Sequence, residues 1–196
     1  MVKQIILSPG HGANTPGKRS PDESLMEWEF NRQMVKRISD YLKAEGIPHI
    51  CLDMGAADAS LKSRVMRANS FGRNCLYISV HGNAAGNGSE WMKARGWAAY
   101  TSKGLTASDE MCEIFMRKAK EMLPEVGAKA RAYSSKKLGW EENFYVLKNT
   151  IMPAVLTENL FYDNLEDVEI MKSEEGQDLM ARIHVEAIKE IRARGL

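Results

Sequence analysis

Short apolar runs alternate with stretches of helical periodicity along most of the chain. The apolar runs predict strands at residues 2–7, 48–52, 76–80, 97–101 and 154–157. Segments with apolar positions at a period near 3.6 residues predict helices at 25–45, 61–71, 108–123 and 179–191. Strands that alternate with helical crossovers form a mostly parallel sheet with helices on both faces. The pattern therefore predicts an α/β fold with a single domain over residues 1–196.

Composition and charge exclude several classes of protein. The 196 residues are 44% hydrophobic and 27% charged, as in an ordinary globular domain. A net charge of +1 argues against nucleic acid as a partner. The apolar runs are far shorter than the ~20 residues of a membrane-spanning helix, so we expect no membrane insertion. The three cysteines are scattered and form no CxxC pair, which favours buried thiols in a reduced protein.

Two histidines follow predicted strands in matching positions. His11 and His81 each come after an apolar run and precede a glycine, Gly12 or Gly82. Ligands of open α/β sheets bind beyond the carboxyl ends of the strands, and glycine lets the backbone turn tightly there. One histidine in such a position is usually structural, whereas two indicate a shared site.

The first predicted helix carries a carboxylate on its apolar face. Glu27 lies within about 60° of Phe30 and Ile38 when residues are placed at 100° intervals, and Glu29 falls on the solvated face. A buried carboxylate needs a partner. Two interpretations are open: Ser24 to Glu27 forms a capping box, or Glu27 is the third ligand of a metal bound by the two histidines. The histidines favour the metal.

The remaining candidates are acids and histidines in other segments. Glu158 follows the apolar run 154–157 and is a candidate general base, with capping of the next loop as the alternative. Residues 140–142 include two acids in a polar stretch typical of a solvated loop. His49 within a strand and His184 on the last helix are expected to have packing or surface roles.

Several blocks of the chain match one family pattern in order. Residues 8–12 (SPGHG) are similar to DPGHGG, residues 79–84 (SVHGNA) to SIHANA, and residues 154–161 (AVLTENLF) to AVLVELGF. Glu27 and Asn31 match the E-K-D-x-N helix start, and residues 61–69 follow L-x-x-R-x-x-x-A-N. On these blocks the chain resembles the zinc-dependent N-acetylmuramoyl-L-alanine amidases of the Amidase_3 family, which include endolysins and autolysins.

The resemblance implies a fold of the phosphorylase/hydrolase-like type and a specific site. It implies that His11, Glu27 and His81 bind Zn²⁺ and that Glu158 is the catalytic carboxylate. The implied reaction is hydrolysis of the amide between N-acetylmuramic acid and L-alanine of peptidoglycan. Ser8 stands where the family has Asp, which puts in doubt a carboxylate near the first ligand.

The resemblance also sets expectations about organisation and location. We expect a monomeric catalytic domain over residues 1–196 without a separate cell-wall-binding module. The N-terminus has no secretory signal, as in endolysins that stay in the cytoplasm until they are released onto the wall, although a trimmed secreted or periplasmic protein has the same pattern. Two alternatives stay open: another zinc amidohydrolase or peptidase on the same scaffold, and a non-catalytic wall-binding relative.

Overall fold

A six-stranded sheet forms the centre of the molecule. The computed structural model describes residues 1–196. The strands are β1 (Gln4–Pro9), β2 (His49–Cys51), β3 (Cys75–Asn83), β4 (Ala98–Thr101), β5 (Trp140–Glu141) and β6 (Ala154–Phe161). The helices are α1 (Glu27–Ala44), α2 (Leu61–Asn69), α3 (Ser108–Met122), α4 (Tyr145–Asn149), α5 (Leu165–Lys172) and α6 (Glu174–Ala193), with a 3₁₀ helix at Leu123–Val126.

The strand order is β2-β1-β3-β6-β4-β5. Strands β2, β1, β3 and β6 run parallel to one another, whereas β4 is antiparallel to β6 and parallel to β5. The prediction of an α/β fold with a mostly parallel sheet is confirmed. None of the helices combines the length and apolar character needed to cross a bilayer.

Side chains that alternate along the strands divide the core into two layers. On β1, Ile5 and Leu7 belong to a large apolar cluster with α1, α3 and α6, whereas Ile6 belongs to a smaller one with α2 and α4. On β3 and β6, Tyr77 and Leu156 lie on the smaller side. His81, four residues after Tyr77, and Glu158, two residues after Leu156, point to that same side of the sheet. The candidate site therefore faces the helices α2 and α4.

Strand β1 ends at Pro9, two residues beyond its predicted end, and strands β3 and β6 also extend further than the sequence predicts. The pattern ends β3 and β6 at Val80 and Thr157, which would leave His81 and Glu158 just beyond the strands. In the structure β3 continues to Asn83 and β6 to Phe161, and His81 is paired directly with Glu158 across the two strands. Pairing between neighbouring strands therefore overrides the weak strand propensity of the glycine and asparagine that end β3.

The sequence does not predict the helices α4 and α5, and further differences concern residues 140–142 and the start of α6. The prediction of a loop over residues 140–142 is wrong for the first two residues, because Trp140 and Glu141 form the short edge strand β5. Helix α6 begins five residues earlier than predicted, at Glu174. All three cysteines are free thiols, and Cys75 and Cys112 are buried.

Candidate active site

Three side chains from three different elements meet at the carboxyl edge of the parallel strands. His11 follows β1, Glu27 is the first residue of α1, and His81 lies in β3. The Nε2 atom of His11 is 3.5 Å from Glu27 Oε1, and Nδ1 of His81 is 3.2 Å from the same oxygen. One possible ligand atom from each residue lies within 4.8 Å of the other two. The structure thus brings together the three residues predicted as ligands.

Glu27 is held in a buried position by its helix. Its side chain is 1% exposed, and Asn31, one turn later on α1, donates from Nδ2 to Glu27 Oε1 (3.2 Å) and to the Gly10 carbonyl (3.1 Å). Burial alone would raise the pKa of Glu27, but the hydrogen bond from His81 and nearby positive charge outweigh it and lower the pKa. The capping-box interpretation is wrong, because Met26 occupies the N-cap and no side chain caps the helix.

The backbone of His11 has an unusual conformation. Its φ angle is +55°, in the left-handed region that non-glycine residues seldom adopt. Two guanidinium groups hold this turn, since Arg32 Nη2 (2.9 Å) and Arg64 Nη2 (3.3 Å) both donate to the His11 carbonyl. The sequence predicts that the following glycine, Gly12, makes the tight backbone turn. Gly12 is instead required by space, because a Cβ there would lie 2.1 Å from the backbone nitrogen of Asp58.

A carboxylate does lie behind the first candidate ligand, although Ser8 replaces the family's Asp. The Ser8 hydroxyl donates to Asp53 Oδ2 at 2.9 Å. Asp53 is 1% exposed and forms ion pairs with Arg64 (3.5 Å) and Arg67. Because Arg64 also contacts His11, Asp53 supports the same backbone turn from the end of β2. Sequence reasoning missed Asp53, and nothing in the local pattern marks it.

Close packing fixes the second histidine. A Cβ on Gly10 would lie 2.0 Å from Cε1 of the His81 ring, so only glycine fits there. The Nε2 atom of the His81 ring is 3.0 Å from the Ser79 hydroxyl oxygen. Asn159 Nδ2 donates to the His81 carbonyl at 2.9 Å. The His11 and His81 rings meet edge to face, with their centroids 5.1 Å apart.

Glu158 lines the same cleft as the two histidines. This cleft has a volume of about 290 Å³, and Lys18, Phe144 and His11 are among the residues of its walls. The Glu158 Oε2 atom is buried and has no hydrogen-bond partner. Burial first, and then the charge of Glu27, raise the pKa of Glu158 well above its usual value. Burial also lowers the pKa of His11 to about 4, which favours a neutral imidazole that can donate a lone pair.

The other residues considered from the sequence lie outside this cleft. His49 is half-buried on β2 and is 2.8 Å from both the Ser39 hydroxyl and the Ile47 carbonyl. His184 is fully buried on α6. Glu141 and Glu142 form ion pairs with surface lysines. The structure thus gives these residues packing or surface contacts.

Comparison with known proteins is consistent with the motif blocks. Residues 5–190 match the family model Amidase_3, N-acetylmuramoyl-L-alanine amidase. Among curated relatives, the chain is 31% identical to the N-acetylmuramoyl-L-alanine amidase CwlM of Bacillus licheniformis, covering 96% of this chain and 68% of CwlM. It is 30% identical to the endolysin of Bacillus phage SPP1, covering 97% of this chain and 66% of the endolysin.

Solved structures show the same fold. An N-acetylmuramoyl-L-alanine amidase from Clostridium difficile 630 superimposes with a TM-score of 0.85 at 24% identity, over 98% of this chain and 97% of the other. The catalytic domain of the amidase CwlV from Bacillus (Paenibacillus) polymyxa var. colistinus gives 0.82 at 23% identity, over 98% and 99%. This chain spans about two thirds of the length of the curated relatives named above. With the family model matched over nearly its whole length, the chain belongs to the Amidase_3 family of N-acetylmuramoyl-L-alanine amidases.

Proposed function

We propose that the protein is a zinc-dependent hydrolase of the amide that joins N-acetylmuramic acid to L-alanine in peptidoglycan. The observation that carries this proposal is the cluster of His11, Glu27 and His81 beside Glu158 in one cleft. Membership of the family and the names of the relatives support the choice of bond.

The donor set suits zinc. Two imidazoles and one carboxylate are common ligands of hydrolytic zinc, which keeps a further position open for water or substrate. Glu27 Oε2 is buried and has no partner within the protein, which is costly unless a cation lies there. His11, Glu27 and His81 would hold the metal. When bound, zinc would supply Lewis-acid polarisation of a carbonyl and acidification of water.

Glu158 would act as the proton carrier of the reaction. Its carboxylate, once ionised, would take a proton from the attacking water while the water oxygen forms a bond to the amide carbon. It would then donate that proton to the L-alanine nitrogen as the carbon–nitrogen bond breaks. The raised pKa of Glu158 favours the first transfer, because a less acidic carboxyl is the stronger base, and it keeps the proton on Glu158 until the nitrogen accepts it. The products are a lactyl carboxylate on the sugar and a stem peptide with a free amine.

Digestion of peptidoglycan tests the proposal. Purified protein is incubated with insoluble peptidoglycan with and without chelator, and the fragments are identified by mass. We expect stem peptides with N-terminal alanine, their loss after chelation, and recovery on addition of zinc. Cleavage at any other bond would favour a different amidohydrolase or peptidase, and no cleavage by the zinc-bound protein would favour a wall-binding relative.

A matched variant tests the role of Glu158. Glu158→Gln keeps the size of the side chain and removes the exchangeable carboxyl proton. We expect turnover to fall by at least about 100-fold, with unchanged zinc content. Turnover near that of the unsubstituted protein would show that Glu158 is not the proton carrier.

A further inference from the structure

The loop before α1 is fixed by backbone hydrogen bonds at its base. The amide of Glu27 donates to the Lys18 carbonyl at 2.9 Å, and the Ser20 amide donates to the Leu25 carbonyl at 2.9 Å. Arg19 and Met26 form an antiparallel bridge between these two bonds. Lys18 therefore has a backbone position that is tied directly to the first residue of α1, which is a candidate metal ligand.

The side chain of Lys18 lines the cleft without a protein partner. It is half-buried, and its ammonium group forms neither an ion pair nor a hydrogen bond with any other residue. The other cation in the cleft wall, Arg64, is engaged by Asp58 at 2.8 Å and by the Pro9 carbonyl at 2.6 Å. Lys18 is thus the cation of this cleft that is free to bind a ligand.

The rest of the cleft wall suits a peptide with both apolar and charged groups. Phe144 is 39% exposed, Tyr145 is 42% exposed and Leu61 is 53% exposed, and all three line the cleft. In ligand clefts, a few polar or charged groups among apolar side chains fix the orientation of the ligand. An ammonium group forms strong charge-assisted hydrogen bonds with a carboxylate. The charge of Lys18 is also felt within the site, because it lowers the pKa of Glu158 against the larger effect of burial.

The chemistry of the substrate indicates which carboxylate this is. The carboxyl group of the lactyl ether is consumed in the scissile amide, and that of L-alanine is consumed in the next peptide bond. The first carboxyl that can be free is the α-carboxyl of the second stem residue, which some peptidoglycans carry as a carboxylate and others as an amide. We propose that Lys18 binds this α-carboxylate and makes the enzyme prefer stem peptides that are not amidated at the second residue. This inference rests on the proposed function.

Two matched substrates and three variants test the inference. Synthetic muramoyl tripeptides that differ only in a free or amidated second α-carboxyl are compared by kcat/KM at saturating zinc. We expect the protein to prefer the carboxylate by about tenfold, as for one hydrogen bond to a charged group. Lys18→Met should remove the preference, Lys18→Arg should retain most of it, and Lys3→Met, which removes a lysine just before β1, should leave it unchanged.

Other results would overturn the inference. An equal loss on both substrates in Lys18→Met would mean that Lys18 acts at the reacting amide. No change in the ratio would mean that it does not contact the substrate.

Binding gives a readout that does not depend on turnover. Calorimetry with the Glu158→Gln variant, loaded with zinc, should show about tenfold tighter binding of the carboxylate peptide, and less difference at high salt. Equal affinity for the two peptides overturns the role of Lys18 even if both are cleaved. Preferential binding without cleavage by the unsubstituted protein would overturn the proposed function and leave the carboxylate site standing.

Discussion

The buried histidine of α6 gives a sharp prediction about stability and pH. His184 is fully buried and packs edge to face against Trp97 and Phe115. Nδ1 is 2.7 Å from the Met180 carbonyl, which can only accept, so this nitrogen carries the proton. Nε2 is 2.9 Å from the Thr157 hydroxyl and accepts from it. Both nitrogens of the neutral ring are therefore satisfied, and a second proton would remove an acceptor.

The size of the effect follows from the pKa. Burial lowers the pKa of His184 from 6.5 to about 4 in the folded protein, with the Met180 bond opposing it weakly. In the unfolded chain the ring is protonated below its ordinary pKa, so acid favours unfolding. The contribution is fully present above pH 6.5 and is lost as the pH falls toward 4. Linkage gives a loss of about 2 kcal/mol in the free energy of unfolding between pH 7 and pH 5.

Urea denaturation at a series of pH values measures this loss. The matched variant is His184→Gln, which keeps a polar side chain and does not titrate. It should be less stable at pH 7, and its stability should change with pH by about 2 kcal/mol less than that of the unsubstituted protein. His11 also titrates, but its contribution is common to both proteins and cancels in the difference when both are metal-free. Parallel curves for the two proteins would refute the reasoning.

Substitutions at three positions test other contacts. Gly10→Ala places a Cβ 2.0 Å from the His81 ring, and we expect a lower melting temperature and loss of zinc uptake, measured by metal analysis after dialysis. Asp53→Asn removes the ion pair with Arg64, which keeps Asp58 as a partner, and should lower the free energy of unfolding by about 2 kcal/mol in urea; an unchanged value would show that the pair does not stabilise the fold. Leu160 has φ +67°, so Leu160→Gly should be about 1 kcal/mol more stable than Leu160→Ala, although both lose a buried side chain; the opposite order would contradict strain at this residue.

Local periodicity was enough to find the side chains that meet at the cluster. Glu27 is identified by the 3.6-residue repeat, because that repeat determines which face of α1 is buried. His11 and His81 are identified by apolar runs, because neighbouring parallel strands end at one edge of the sheet. These relations depend on a few adjacent residues, so they can be read from a single sequence.

Contacts between distant segments could not be found in that way. Asp53 reaches Ser8 across 45 residues and depends on how β2 is placed beside β1. The ends of β3 and β6 depend on pairing between strands, so the weak strand formers Gly82 and Asn83 misled the prediction. The Lys18 ammonium group has no ion-pair partner because nearby acids such as Asp58 already pair with other cations, and this depends on the whole fold.

The direct pairing of His81 with Glu158 has a consequence for the evolution of this scaffold. Their separation is set by the hydrogen-bonded ladder between two central strands, whose spacing is nearly constant in proteins. The loop with Lys18 and the segment with Phe144 and Tyr145 form the outer walls of the cleft and take no part in that ladder. Substitutions and insertions in these outer walls can therefore change which ligands the cleft accepts, while His81 and Glu158 keep their spacing.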